Sequence, residues 1–252
     1  MGQKLQVLDL FSGIGGFSLG LERTGGFETV AFCEIDEHAR KVLAWHWSKV
    51  RQYNDVRKLT ADQLRADGIA VDFICGGFPC QDASVANVNG VGTAGARTGL
   101  YTEAVRLARE MGCGVLMENV TGLFDRGFGD VLEALAASGF DALWRVIRAR
   151  DAGADHQRER LWIVAYPSGA RWQGFEPDNG LLERAASALS EHGHATFGEW
   201  RALVSGEHLL RGIDGVSITM ERRRLHAVGN AVSPYIPEAI GKEILKSLAR
   251  AA

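Results

Sequence analysis

Over residues 1–166 short apolar runs alternate with helical patterns, and nothing else in this chain restricts its fold so tightly. Strands joined through helices pack back as βαβ units. The alternation therefore predicts an α/β fold, a Rossmann-like, mostly parallel sheet with flanking helices. Strands are expected at residues 7–10, 29–34, 71–75, 115–118 and 161–165, with a β-like run at 144–147. Helices are expected at 16–23, about 37–47, 102–111 and 131–137. Ile236, Ile240, Ile244 and Leu248 recur every four residues and mark an amphipathic helix near the C-terminus. Residues 167–224 break the rhythm: prolines and glycines punctuate them, and only 180–191 reads as helical. The expected organisation is one α/β domain formed by residues 1–166 and completed by 225–252, with 167–224 as a small irregular lobe.

Composition narrows the class. A chain of 252 residues can bury one sizeable core, and 46% hydrophobic with 23% charged residues fits a folded soluble protein. No apolar run approaches the ~18 residues of a membrane helix, and the N-terminus runs into a strand without a secretory segment. Cys33, Cys75, Cys80 and Cys113 have no metal-ligand spacing and read as reduced thiols, so a cytoplasmic location without membrane contact is expected. The net charge of −3 is uneven: residues 1–144 hold 13 basic and 18 acidic side chains, residues 145–252 hold 15 and 13. A nucleic-acid partner would have to meet a local basic patch.

Two glycine-rich turns carry the chemistry. Gly13-Ile14-Gly15-Gly16 lies between the first strand and the first helix, where backbone N–H groups can face a ligand at the carboxyl end of the sheet. Ser18 stands where the third glycine of a dinucleotide fingerprint would be, which argues against a nicotinamide enzyme. Glu34 closes the second strand, a place from which an acidic residue can accept hydrogen bonds from ribose hydroxyls. The second turn, Gly76-Gly77-Phe78-Pro79-Cys80-Gln81, follows the strand that ends at Cys75. It sets a cysteine on a proline-held turn with glycines that permit close approach, the setting of a nucleophilic thiolate. The competing reading, a buried structural thiol, suits Cys75 better than Cys80.

These turns stand in a set order with other segments: Asp9-Leu10-Phe11-Ser12 runs into the first, and Glu118-Asn119-Val120, Gln157-Arg158-Glu159-Arg160 and Gly229-Asn230-Ala231-Val232 follow the second. The ordered set resembles the DNA (cytosine-5) methyltransferases, across about residues 5–248 except 167–224. The resemblance implies S-adenosyl-L-methionine as cofactor. It would be held by Phe11, Gly13, Gly15 and Gly16, by Glu34 and Ile35, by Asp55, Pro79 and Leu100, and by Asn230, Ala231 and Val232. Asp55 would take the adenine amino group; alone it reads nearly as well as a capping carboxylate. The resemblance also implies Cys80 as the nucleophile that adds to C6 of a cytosine extruded from the duplex. Glu118 would donate to N3, Arg160 would reach O2, and Arg158 the neighbouring base or loop. The plainer readings are a strand-end salt bridge and solvated arginines. Strand pairing is expected to turn the two arginines to opposite sides unless both precede the strand. Phe78, Gln81, Ser84 and Arg97 would line the substrate side, with residues 85–99 as a loop that closes over the base. Two positions depart from the family pattern: His156 stands where glutamine is usual, and Ala83 is smaller than the common residue.

Residues 167–224 would then be the target-recognition region. Arg171, Arg184, Arg201, Arg211, Arg222, Arg223 and Arg224 could meet phosphates or guanines, though eight acidic residues offset these seven arginines. The expected partner is double-stranded DNA, met by a monomer, with a cognate restriction endonuclease as a further candidate partner. Two rivals stay open. One is an RNA (transfer RNA) cytosine-5 methyltransferase on the same scaffold, whose distinctive recognition segment is not visible here. The other is a catalytically idle DNA-binding relic, against which the intact Cys80, Glu118 and Arg160 count.

Overall fold

The computed structural model describes residues 3–79, 98–152, 157–169, 179–191 and 232–250. Its centre is a seven-stranded sheet in the order β3-β2-β1-β4-β5-β7-β6. The strands are β1 Leu5–Leu10, β2 Phe27–Cys33, β3 Arg51–Tyr53, β4 Phe73–Gly77, β5 Gly114–Val120, β6 Phe140–Arg148 and β7 Glu159–Pro167. The first five pair in parallel, whereas β7 runs antiparallel to both β5 and β6. The expected Rossmann-like, mostly parallel α/β fold is what this chain forms. Its helices are α1 Gly16–Arg23, α2 Glu37–His46, α3 Ala61–Ala66, α4 Tyr101–Met111, α5 Leu123–Arg126, α6 Phe128–Ala137, α7 Leu181–Glu191 and α8 Tyr235–Arg250.

Each strand and helix expected in residues 1–166 is present with its ends moved by a few residues. Three short elements went unread: β3, α3 and α5. A three-residue strand and helices of one or two turns are too short to display a period. Only the cap of α3 was a usable signal, since the Thr60 hydroxyl oxygen accepts from Gln63 N–H at 3.1 Å.

The strands are nearly continuous apolar runs because both faces of the sheet are covered. On one face Leu8, Leu10, Ile74, Val115 and Met117 pack beneath α3, α4 and α6. On the other, Val7, Phe73, Cys75, Leu116 and Val164 pack beneath α1, α7 and α8. Helix α7 falls inside the stretch expected to be a separate lobe, yet it buries Leu181, Leu182 and Ala185 in this second layer. Arg184, one of the candidate DNA contacts, is instead bonded through Nε to Glu243 of α8 at 2.7 Å. Arg145 of β6 pairs with Glu183 on the same helix. Residues 170–178 and 192–231, the remainder of that expected lobe and more, lie outside the described residues. No described helix is long and apolar enough to cross a membrane.

The order of the strands positions the site. From β1 the chain moves outward to β2 and β3, then returns to β4 on the other side of β1. Connections leaving β1 and β4 therefore diverge and open a crevice at the carboxyl edge, where ligands bind in open α/β sheets. Both glycine-rich turns lead off from that point.

Candidate active site

The turn after β1 is tight. Phe11 (φ 53°), Gly13 (φ 53°) and Gly15 (φ 90°) all adopt left-handed backbone, which glycine tolerates at two of the three places. A β-carbon on Gly16 would stand 2.3 Å from the Val232 carbonyl oxygen, so the segment ahead of α8 closes against the loop only because this residue is glycine. Val232 is thereby brought to the loop. Asn230 and Ala231 lie outside the described residues.

Gly13 N–H donates to Glu34 Oε2 at 2.7 Å, and Asp36 N–H donates to Oε1 at 2.8 Å. The backbone donor expected to face a ligand thus holds a protein carboxylate in place. Each oxygen keeps a lone pair for a ribose hydroxyl. Arg40 of α2 steadies the same loop by donating to the carbonyls of Glu34 (2.9 Å) and Ile35 (2.7 Å). Ile35 is 70% exposed. An apolar side chain left in water beside a preset carboxylate fits an adenosine, which offers a flat ring and a vicinal diol. The residues present therefore suit S-adenosyl-L-methionine.

Asp55 is tied to Arg57 through both oxygens at 2.9 Å and also accepts the Arg57 backbone N–H at 3.1 Å. The Arg57 hydrogen bonds hold its carboxyl below the usual range. This is the local capping arrangement, with the carboxylate still ionised and able to accept from one more donor. Leu100 immediately precedes α4 and packs on the core that contains Phe78 and Tyr101. Pro79 is half-buried. The Phe78 ring is buried 5.7 Å from that of Tyr101, so a role toward substrate falls to its backbone. Its carbonyl accepts from Asn119 Nδ2 at 3.1 Å, a contact that anchors the second glycine-rich turn to β5.

Register brings the acid to the same edge. Gly77 of β4 pairs with Glu118 of β5, and a β-carbon on Gly77 would lie 2.8 Å from Glu118 Oε2. Arg160 pairs with Val120, two residues beyond Glu118, so the side chains of Arg160 and Glu118 are diagonal neighbours on one face. Arg160 Nε meets Glu118 Oε1 at 2.8 Å. Burial pushes the Glu118 carboxyl up, opposed by the charges of Arg160 and then Arg158. Arg158 is half-buried, and burial together with the Arg160 charge lowers its pKa. Strand β7 starts at Glu159, earlier than expected, and includes Arg160 while Arg158 precedes it. The expectation that pairing would turn the arginines to opposite sides was wrong: residues two apart on a strand share a face. Both act on Glu118.

Cys80, Gln81, Ser84 and Arg97 lie outside the described residues. Cys75 is fully buried, and burial followed by the nearby Asp9 carboxyl raises its thiol well above the ordinary value. That matches its assignment as a structural thiol.

Sequence reading passed over the residues that brace the site. Besides Arg40 and Asn119, the main one is Asp9, which is fully buried on β1. Its Oδ2 accepts from the Ser18 hydroxyl at 2.7 Å and the Ser18 N–H at 3.3 Å, while its carbonyl accepts from the Ser12 hydroxyl at 2.6 Å. Ser18 thus has a task of its own where a dinucleotide fingerprint would have glycine. The available signal was a charged residue inside an apolar run. Burial raises the Asp9 carboxyl to about 8, with the hydrogen bonds from Ser18 opposing.

In the unfolded chain this group titrates near 3.9, so between about pH 4 and pH 8 the folded state keeps a proton that the unfolded state has lost. Its contribution to stability is complete below about pH 4 and declines as pH rises toward 8. Asp9→Asn should flatten that decline. Denaturant midpoints taken at pH 5 and pH 8 are expected to fall more steeply for the wild type; parallel slopes would disprove a buried, protonated acid.

The family model for C-5 cytosine-specific DNA methylases matches residues 5–197. The Type II methyltransferase M.HgiCII of Herpetosiphon aurantiacus is 33% identical over 168 residues, covering 64% of this chain and 37% of that protein. M.Eco47II of Escherichia coli is 38% identical over 168 residues, covering 63% of this chain and 39% of the relative. The chain thus spans less than half the length of these curated relatives. The solved structure of the Entamoeba histolytica methyltransferase EhMeth aligns with a TM-score of 0.64 at 14% identity, covering 98% of this chain and 99% of that one. At that identity the likeness speaks for the fold alone. Because the family model matches well over half of its residues, this chain belongs to the C-5 cytosine-specific DNA methylases.

Proposed function

We propose that the chain is a DNA (cytosine-5) methyltransferase that uses S-adenosyl-L-methionine. The observation that carries this reading is Glu118, a buried carboxyl with a raised pKa, bonded to Arg160 and paired in register with the β4 end that leads to Cys80. Phe11, Gly13, Gly15, Gly16, Glu34, Ile35, Asp55, Pro79, Leu100, Asn230, Ala231 and Val232 would hold the cofactor, which when bound supplies an electrophilic methyl group.

The remaining steps belong to the chain's own residues. The Cys80 thiolate adds to C6 of an extruded cytosine, and Glu118 gives its proton to N3 as that bond forms, so the charge pushed into the ring is neutralised. Carbon 5, now electron-rich, takes the methyl group. Loss of the C5 proton to solvent water then restores the C5–C6 double bond and expels the Cys80 sulfur as thiolate, while N3 returns its proton to Glu118. The first step requires a carboxyl that can donate, and burial shifts Glu118 toward its acid form against the opposing charges of Arg160 and Arg158. Arg160 would hold O2 of the base and orient Glu118, with Arg158 beside them. Phe78, Gln81, Ser84 and Arg97 would line the substrate side. Duplex DNA is the proposed substrate of a monomeric, cytoplasmic enzyme. Target reading would fall to parts of residues 167–224 other than α7, and a restriction endonuclease cutting the same site would be a natural companion.

The test is transfer of a labelled methyl group to duplex DNA and, separately, to total RNA. Label at C5 of cytosine in DNA is the expected result. Label confined to RNA would select the transfer-RNA type of activity, and cofactor binding without label in either would identify an idle relic.

A further inference from the structure

We propose that Arg106 is a positioning residue for the adenine end of the cofactor: from α4 it holds the turn that begins at Asp55 in place relative to Leu100, the two residues that the cofactor reading assigns to that end. This rests on the cofactor reading above. The Arg106 Nη2 donates to the Leu59 carbonyl at 2.7 Å and to the Val56 carbonyl at 3.5 Å. Its Nε donates to Glu103 Oε2 at 2.9 Å and its Nη1 to Glu110 Oε2 at 3.2 Å. Both glutamates lie on α4, one turn before and one turn after, so they grip the guanidinium from two sides and aim it off the helix.

The two carbonyls belong to the turn closed by Lys58 N–H and Leu59 N–H on the Asp55 carbonyl, at 3.1 and 3.2 Å. Asp55 opens that turn, and Leu100 sits at the start of the helix that carries Arg106. One planar cation therefore links the two segments that would flank the adenine. Lysine has the charge but not the rigid fork that serves four acceptors.

Arg65 provides a control. It also ties a neighbouring segment to α4, donating to Glu110 O at 2.8 Å while Asp62 of its own helix accepts from it at 2.8 Å, and neither bond reaches the Asp55 turn or Leu100.

Isothermal titration with S-adenosyl-L-methionine and with adenosine tests the idea. Arg106→Met should weaken both ligands about tenfold, the scale of one charge-assisted hydrogen bond. It should raise KM for the cofactor and leave kcat at saturation nearly unchanged. Arg106→Lys, which keeps the charge, should fall between wild type and Arg106→Met. Arg65→Met should lower Tm without changing either affinity. Wild-type affinities in both Arg106 variants, or equal weakening in Arg65→Met, would overturn the proposal. A wild-type protein that binds neither ligand would sink the cofactor reading, and this proposal with it.

Discussion

Cys80→Ser should lower methyl transfer by roughly 10⁴–10⁶-fold, the range in which enzymes register the loss of a covalent nucleophile. A serine hydroxyl at neutral pH has almost no ionised fraction, whereas a thiol has a few per cent and is intrinsically the better nucleophile. Cofactor affinity should stay within a few-fold of wild type, because the thiol is assigned to the base and not to the cofactor. A sharper readout uses duplex DNA carrying 5-fluorocytosine. After sulfur adds to C6 and C5 is methylated, no proton remains on C5 to be lost, so elimination stalls and the protein stays joined to DNA. Wild type should give a denaturant-resistant adduct and Cys80→Ser none. If the adduct survived in the variant, another thiol would be the nucleophile. Cys75 is a poor candidate, since it is buried and its thiol is held far from ionisation.

Glu118→Gln should slow single-turnover methyl transfer by roughly 10²–10⁴-fold, the contribution expected of a general acid. The amide can still accept from Arg160 Nε, so the local packing should survive and cofactor binding should barely change. The pH profile separates the acid from a mere ion-pair partner. A carboxyl that must donate its proton works below its pKa, and burial sets that pKa above the ordinary carboxylate range. Wild-type activity should therefore fall as pH rises through the raised value, with that limb missing in Glu118→Gln. Near-normal single-turnover rates in the variant would reduce Glu118 to a strand-end partner of Arg160.

Much of the fold was legible because its signals are local. Apolar runs of strand length, helical spacing and glycine turns each act within a few residues, so β1, β2, β4, β5 and β7 could be placed without knowing their neighbours. The same holds for the two glycine-rich turns and for the ordered segments that mark the family. Short elements such as β3 and α5 offered no period to read, and α7 was assigned to a separate lobe because nothing local reveals which surface its apolar stripe meets.

What only the tertiary structure decided depends on strand order and register. Glu118 is buried and paired with Arg160 because β7 runs antiparallel beside β5. The Glu34 carboxylate is held by a backbone donor 21 residues earlier, and the Asp55 turn by an arginine about 50 residues later. Hydrogen bonds over such separations depend on how the strands are ordered, which no local pattern states. The amino-acid sequence by itself therefore singled out the candidate residues at the strand ends. The residues that brace them, Asp9, Arg40, Arg106 and Asn119, became visible through packing, because a buried polar group shows its purpose only through the partner it finds.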